Sequence, residues 1–178
     1  MFWDGGGVTF TGGEATLQAD VVYAIMKAVR EKGISTAIET NATVAVCEKL
    51  SDVCDCFMID FKHPDKEKLK TVTGADVEMI KENIRKLSKK AFLHLRIPLI
   101  HGFNDDAESL EGFTEFFKEL QNSGADFDIE LLPYHEYGKE KWQKCQKEYT
   151  VTNGFVSKQT LTEFTDRFKT HGFTVIKT

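Results

Sequence analysis

The chain has 178 residues, of which 41% are hydrophobic and 29% charged, values close to those of an average globular domain. No stretch reaches the ~18 consecutive apolar residues of a membrane span, and residues 1–7 lack the basic and apolar regions of a signal peptide. The net charge of -5 argues against a surface that binds nucleic acid. We therefore expect one domain over residues 1–178, located in the cytoplasm, with neither a membrane nor a nucleic acid among its partners.

Hydrophobic periodicity and turn residues predict that strands alternate with helices along the chain. Such alternation is typical of βαβ units, whose strands form a parallel sheet. In chain order we predict a strand at 8–11, a helix at 20–32, a strand at 35–39, a short helix at 43–50, a strand at 56–61, a helix at 66–72 with Pro64 as the first residue of its turn, a helix at 77–87, a strand at 92–100, a helix capped by Asp105 or Asp106 that ends at Leu120, a strand at 127–132, a helical turn at 139–147, a helix from Ser157 to Thr170 and a strand at 173–176.

One face of each predicted strand is apolar, whereas the other face is polar or mixed. The second face carries Glu39, Asp60, His94, Arg96 and Glu130. A flat sheet covered on both sides has two apolar faces, and a filled barrel has an interior of Val, Ile and Leu. Because an unpaired buried ion costs several kcal/mol, we predict an α/β fold with an incomplete, open (β/α) barrel. It has about five parallel strands and one C-terminal edge strand, and its lumen is open to a polar ligand.

Polar and titratable residues follow five consecutive predicted strands, at residues 11–14, 39–41, 60–63, 101–105 and 134–136. Each group has a structural explanation: Glu14 as the partner of a helix dipole, Asn41 as a cap, Asp60 and Lys62 as an ion pair, His135 as a loop histidine. Active sites of barrels nevertheless lie at the carboxyl ends of the strands. The five groups together therefore indicate a ligand site at this end of the sheet.

The ligand chemistry follows from a glycine pair and the charges near it. Gly12 and Gly13 allow a ligand to approach the backbone closely. The sequence lacks the Gly-Lys-Ser/Thr ending of a phosphate loop and the Gly-x-Gly-x-x-Gly fingerprint, and Glu14 would repel a phosphate. Glu14 suits an ammonium group, and Lys62 or Arg96 suits a carboxylate. The pattern favours a ligand with an amino-acid moiety.

The four cysteines are Cys47, Cys54, Cys56 and Cys145. The first three are spaced seven and then two residues apart, which matches no common zinc motif. A cytoplasmic chain of this size does not need disulfides. We interpret these cysteines as buried or unreactive thiols, with metal binding as the alternative.

Five motifs, in this order, resemble radical S-adenosylmethionine (SAM) enzymes, and more closely the activating enzymes of glycyl-radical enzymes, of the pyruvate formate-lyase activating type. They cover nearly the whole chain. The motifs are Gly6-Gly7-Val8-Thr9-Phe10-Thr11-Gly12-Gly13-Glu14-Ala15, Glu39-Thr40-Asn41, Met58-Ile59-Asp60-Phe61-Lys62, residues 96–105 and residues 131–142.

The resemblance implies an anaerobic reaction. A 4Fe–4S cluster, reduced by a donor such as flavodoxin or ferredoxin, would cleave SAM, and the resulting radical would take a hydrogen atom from a backbone glycine of a partner enzyme similar to pyruvate formate-lyase. It also implies roles for residues of this chain. Gly12 and Gly13 would hold the methionine amino group through their backbone, Glu14 would shape that turn, Glu39 would bind the same amino group, Lys62 would bind the methionine carboxylate, His135 would contact the ribose or adenine, and Arg96 would be a catalytic-site cation in the lumen.

The same resemblance implies a monovalent cation beneath the cofactor. Its ligands would be Glu39, Thr40, Met58 and Asp60. Carboxylate and carbonyl oxygens are hard ligands that suit such an ion.

One departure separates this sequence from the family pattern. The family carries its cluster on a Cys-x3-Cys-x2-Cys loop, and no three of the four cysteines here have that spacing. We therefore expect no iron–sulfur ligands in this chain, a barrel without its first strand and cluster loop, and an exposed edge at residues 8–11 that promotes self-association. The favoured hypothesis is a fragment of an activating enzyme, inactive by itself.

Two other hypotheses remain. One is a non-catalytic descendant of this fold that binds a nucleoside or a partner. The other is a lyase with Lys62 as a Schiff-base amine, which is disfavoured because the neighbouring Asp60 stabilises the charged form of the amine.

Overall fold

The computed structural model describes residues 6–45 and 48–176. Six strands form one parallel sheet in which every strand pairs with the next along the chain. In the described residues β6 does not pair with β1, so the sheet stays open, and the predicted open (β/α) architecture is confirmed. The strands are β1 Gly7–Phe10, β2 Ser35–Thr40, β3 Cys56–Asp60, β4 Phe92–Leu99, β5 Phe127–Pro133 and β6 Val175–Ile176.

Helices connect the strands, and most of them begin at a capping side chain. Asp65, Asp76, Asp106 and Ser157 each accept a hydrogen bond from a backbone amide in the first turn of the following helix. The helices are α1 Ala19–Arg30, preceded by a 3₁₀ turn at Ala15–Gln18, then α2 Glu48–Ser51, α3 Lys66–Thr73, α4 Val77–Leu87, α5 Ala107–Asn122, α6 Lys139–Lys144 and α7 Lys158–Thr170.

Two local predictions were wrong. The helix predicted at 43–50 begins only at Glu48, and residues 46–47 of that range lie outside the described residues. The side chain of Asn83 donates to the carbonyl oxygens of Ala42 and Val44, at 2.9 and 2.8 Å, and so takes the acceptors that a helix would need. Pro64 also lies one residue before the cap of α3, because Asp65 holds the capping position.

The core lies on one side of the sheet. The apolar strand positions Ile38, Phe57, Leu95 and Ile129 are at most 1% exposed. They belong to the same buried cluster as the apolar sides of the helices. An aromatic group extends that cluster below β4 and β5, and it consists of Phe61, Phe113, Phe116, Phe117, Phe127, Phe168 and Phe173.

Charged residues occupy the other side of the sheet, as the alternation of the sequence predicts. Because the helices pack on the apolar face, the charged side chains of this lumen face are stabilised by pairing with one another. No helix in the described part of the chain is long and apolar enough to cross a membrane.

Candidate cofactor site

A cavity of about 210 Å³ lies where β1, β2 and β3 end. Because these strands are parallel and adjacent, their carboxyl ends meet at one edge of the sheet, together with Arg96 from β4. The residues that line the cavity are Thr11, Gly12, Gly13, Glu14, Glu39, Thr40, Asn41, Asp60, Lys62 and Arg96.

The loop after β1 exposes its backbone to this cavity. Gly12 has a φ of 124°, a backbone conformation that residues other than glycine rarely adopt. A Cβ atom added at Gly12 or Gly13 would meet nothing within 4 Å, so the space beside both glycines is open. The backbone groups of this loop are therefore accessible to a ligand.

Glu14 joins the loop after β1 to the end of β2. Its Oε1 accepts hydrogen bonds from the Thr16 and Thr40 hydroxyls, at 2.6 and 2.7 Å. Its Oε2 accepts one from the Asn41 amide, at 2.9 Å. Burial alone would raise the pKa of this carboxyl, but the hydrogen bonds from Asn41, Thr16 and Thr40 outweigh burial and lower it. Glu14 is thus an anionic anchor whose oxygens both face donors of the protein.

Arg96 bridges two carboxylates that stand on different strands. Its Nε lies 2.8 Å from Asp60 Oδ1 on β3, and its Nη1 lies 3.1 Å from Glu39 Oε1 on β2. A hydrogen bond from the Thr11 hydroxyl, at 2.6 Å, is the main reason why the pKa of Glu39 is lowered, and Arg96 adds to it against the effect of burial. Burial would lower the pKa of Arg96, but Asp60 and Glu39 raise it.

Lys62 completes the charged rim of the cavity. Its Nζ lies 3.7 Å from Asp60 Oδ2, and its side chain is 36% exposed. Since Arg96 also binds Asp60, this carboxylate is shared between two cations. Lys62 can therefore turn toward an anionic ligand without leaving Asp60 unpaired.

Two of the predicted site residues, His135 and Met58, lie outside the cavity lining, whereas Thr40 belongs to it. His135 follows β5 at the same edge of the sheet, but it is exposed, stacks on Tyr137 and is not among the residues that line the cavity. Met58 lies opposite Glu39 in the register of β2 and β3, outside the cavity lining. The hydroxyl of Thr40 lines the cavity and donates to Glu14.

Of the four expected cation ligands, only Glu39 and Asp60 have carboxylate side chains. Over residues 6–45 and 48–176, no group of three or more His, Cys, Asp or Glu side chains could hold a metal ion, a finding that does not bear on a set with Thr40 and Met58. Instead, the guanidinium of Arg96 provides the positive charge between Glu39 and Asp60.

The described cysteines do not contribute to this site. Cys54 precedes β3 and Cys56 opens it, so both lie at the amino ends of the strands, opposite the cavity. Burial raises the pKa of the Cys54 thiol to about 12. Cys145 is exposed in the segment after α6. Cys47 lies outside the described residues.

A family model for the radical SAM superfamily matches residues 2–114. The chain belongs to the radical SAM superfamily. Among curated relatives of this radical SAM protein, the 4-hydroxyphenylacetate decarboxylase activating enzyme of Clostridioides difficile is 38% identical over 173 residues, which cover 94% of this chain and 54% of that protein. The pyruvate formate-lyase 1-activating enzyme of Escherichia coli is 36% identical over 152 residues, which cover 83% of this chain and 61% of that protein.

A solved structure has the same radical SAM fold over almost its full extent. It is a crystal structure of a domain of pyruvate-formate lyase-activating enzyme from Bacteroides vulgatus, with a TM-score of 0.80 and 26% identity. The match covers 98% of this chain and 99% of that domain. By contrast, the chain spans about half the length of the curated relatives it matches.

Sequence reasoning missed several residues that shape this site. Thr16 lies near a predicted helix, and nothing in its position indicates that it binds Glu14. Asn83 lies within a predicted helix, and nothing in its spacing indicates that it binds the loop after β2. The triad of His94, Asp128 and Glu130 deeper in the lumen was visible only as polar positions on alternating strand faces.

Proposed function

We propose that the cavity at the ends of β1–β3 binds the methionine end of SAM, and that the chain is part of an activating enzyme for a glycyl-radical enzyme. The observation that carries this proposal is the composition of one cavity. It combines the accessible backbone of Gly12 and Gly13, the carboxylate of Glu39 and the ammonium of Lys62. An amino-acid moiety needs this pairing of an anionic and a cationic partner.

The size of the cavity supports the same assignment. Pockets that enclose a whole drug-sized ligand begin at about 300 Å³, whereas this cavity has about 210 Å³. It suits the methionine part of the cofactor, and the nucleoside would extend over the open lumen toward the edge where His135 stands. His135 would then contact the ribose or adenine after a change in its side-chain position.

Within this site each residue has a definable task. Glu39 accepts hydrogen bonds from the amino group, beside those from Thr11 and Arg96 that keep it ionised. Lys62 binds the carboxylate. Glu14 fixes the loop so that the backbone of Gly12 and Gly13 faces the amino group.

The chemistry supplied by SAM together with a reduced 4Fe–4S cluster is removal of a hydrogen atom from a backbone glycine of the partner enzyme. The names of the relatives support this partner class, because they activate 4-hydroxyphenylacetate decarboxylase, choline trimethylamine-lyase and pyruvate formate-lyase. We assign the activity to a longer protein, since the cluster motif is not among the cysteines of this chain. An electron donor such as flavodoxin or ferredoxin and a cytoplasmic location are part of the proposal.

The proposal also includes a monovalent cation beside the cofactor carboxylate. Glu39 and Asp60 supply carboxylates, Thr40 a hydroxyl and Met58 a carbonyl. Arg96 already bridges the two carboxylates, so the cation would share them with the guanidinium.

The decisive experiment is a calorimetric titration of the purified chain with SAM. We expect binding by the wild type, and a loss of about tenfold in affinity in Lys62→Ala because one charge-assisted contact disappears. Lys90→Ala is the matched control, since Lys90 pairs with Asp52 on a different surface. Equal affinity in Lys62→Ala and Lys90→Ala, or no binding by the wild type, would overturn the assignment.

A further inference from the structure

The imidazole of His94 lies between two carboxylates on the lumen side of the sheet. Its Nδ1 is 2.5 Å from Asp128 Oδ1, and its Nε2 is 2.9 Å from Glu130 Oε2. All three side chains are largely buried, with 9%, 17% and 10% of their surfaces exposed. A histidine with a carboxylate at each ring nitrogen is a polar cluster that the cofactor site does not use directly.

The geometry places one ring nitrogen against each carboxylate. A ring N–H donates and a carboxylate oxygen accepts, so His94 holds the two carboxylates through one ring. Asp128 and Glu130 are two residues apart on β5 and share one face, so without the ring they would repel each other in a poorly hydrated place.

Glu130 also stands beside the cofactor site. It is the register partner of Arg96 across β4 and β5, and both side chains face the lumen. Neighbouring strands are about 4.8 Å apart, so the Glu130 carboxylate is within reach of the Arg96 guanidinium. The guanidinium nevertheless extends the other way, to Asp60 on β3 and Glu39 on β2.

We propose that His94 is a positioning residue: by binding Glu130 it keeps this carboxylate from drawing Arg96 toward β5, and so directs Arg96 to Asp60 and Glu39. The His94 ring and the Arg96 guanidinium compete for one carboxylate. When His94 binds Glu130, Arg96 remains available to the pair of carboxylates that borders the cavity. The link to cofactor binding rests on the proposed function, whereas the effect on Arg96 does not.

The test is nuclear magnetic resonance of the Nε–H of Arg96, at neutral pH and without ligand. His94→Leu removes the ring that holds Glu130 and should shift the Arg96 signal. His94→Leu/Glu130→Gln should return it toward the wild-type position, because a neutral amide attracts the guanidinium much less. His94→Gln keeps one donor and should lie between.

His171→Leu is the matched control, since His171 follows α7 and its ring lies against Phe173 of the apolar core. An unchanged Arg96 signal in His94→Leu, or a double variant that resembles His94→Leu, would overturn the proposal. If His94→Leu fails to fold, His94→Gln decides, and an Arg96 signal that is unchanged in that variant overturns the proposal.

A SAM titration of the same variants separates this proposal from the function. We expect affinity to fall about tenfold in His94→Leu and to recover in the double variant. If the Arg96 signal shifts and recovers while affinity stays constant, the positioning role stands, and the placement of Arg96 beside the cofactor is what fails.

Discussion

Glu14 accepts a hydrogen bond from the backbone amide of Asn41 at 2.9 Å, so a single carboxylate joins the loop after β1 to the end of β2. In Glu14→Gln one oxygen becomes an amide nitrogen, and a donor of the protein then faces a donor. We expect the free energy of unfolding at neutral pH to fall by about 1–2 kcal/mol, the contribution of a charge-assisted hydrogen bond. Chemical denaturation followed by circular dichroism measures it.

The stability difference between wild type and Glu14→Gln should change with pH in one direction. The pKa of Glu14 is lower in the folded chain than its ordinary value of 4.5. The stabilising effect of the Glu14 carboxylate is therefore complete above pH 4.5, and it is lost as the pH falls through the pKa of the folded chain. The stability difference between wild type and Glu14→Gln should shrink on acidification, and a difference that grows below pH 4.5 would contradict the prediction.

The two loop glycines should respond differently to alanine. Gly12 has a φ of 124°, so Gly12→Ala strains the backbone and should lower the free energy of unfolding by about 1–3 kcal/mol. Gly13 is not among the residues with positive φ, and Gly13→Ala should affect stability by less than about 1 kcal/mol. Because Gly13 lines the cavity and its added methyl group meets no protein atom within 4 Å, Gly13→Ala should instead weaken SAM binding. Equal stability losses would show that the loop is not fixed by the conformation of Gly12.

The purified chain should not cleave SAM. A cluster that binds the cofactor needs three thiolates near the methionine end, and Cys54 and Cys56 lie at the opposite end of the strands. After anaerobic reconstitution with iron and sulfide, we expect a colourless protein that releases no 5′-deoxyadenosine with dithionite. Visible cluster absorbance together with 5′-deoxyadenosine would refute this. A longer chain that carries an upstream Cys-x3-Cys-x2-Cys is the positive control.

Self-association should follow from the apolar surface beside β1. Leu17 and Val21 are 70% and 57% exposed, and β1 is an edge strand of the described sheet. We expect sedimentation velocity to show larger species as concentration rises, and Leu17→Glu/Val21→Glu to reduce them. Val72→Glu, at a residue that is 65% exposed on α3, should have no such effect. A monomer at every concentration would contradict the prediction.

The cysteines should differ in reactivity toward iodoacetamide. The Cys54 thiol has a pKa of about 12 because of its burial, so it holds almost no thiolate near pH 8. Cys145 is exposed. Peptide mapping after short labelling should find Cys145 modified and Cys54 unmodified in the native chain, and both modified after denaturation. Labelling of Cys54 at the rate of Cys145 would mean that β3 opens easily.

Most of the fold was predictable because the information is local. The helix over Val77–Leu87 has its cap, its apolar stripe and its end within a few residues, and the structure places it at those bounds. The helix at 43–50 failed because the acceptors of Ala42 and Val44 are taken by Asn83, which is about forty residues away. No local pattern encodes such a contact.

Part of the candidate site was likewise predictable from the sequence, and part of it was not. That Gly12, Glu39 and Lys62 meet at one edge follows from parallel strands whose ends coincide. That Arg96 reaches past β3 to Glu39 depends on the direction of a long side chain, which the alternation of the strand does not specify. The cofactor roles of these residues, and that of His135, stay predictions.

The strand order has a consequence for how the protein is made. Every strand pairs with its immediate predecessor, from β1 to β6. Among the described strands, none has to wait for a partner beyond the next one in the chain, so the loop that closes at each step is a single crossover connection. The sheet can therefore grow at the ribosome one strand at a time, with each new strand docking on the edge left by the one before it. Until β3 and β4 have emerged, however, Glu39 has neither Asp60 nor Arg96, so the charged group on β2 stays without its ion pair until the fourth strand is added.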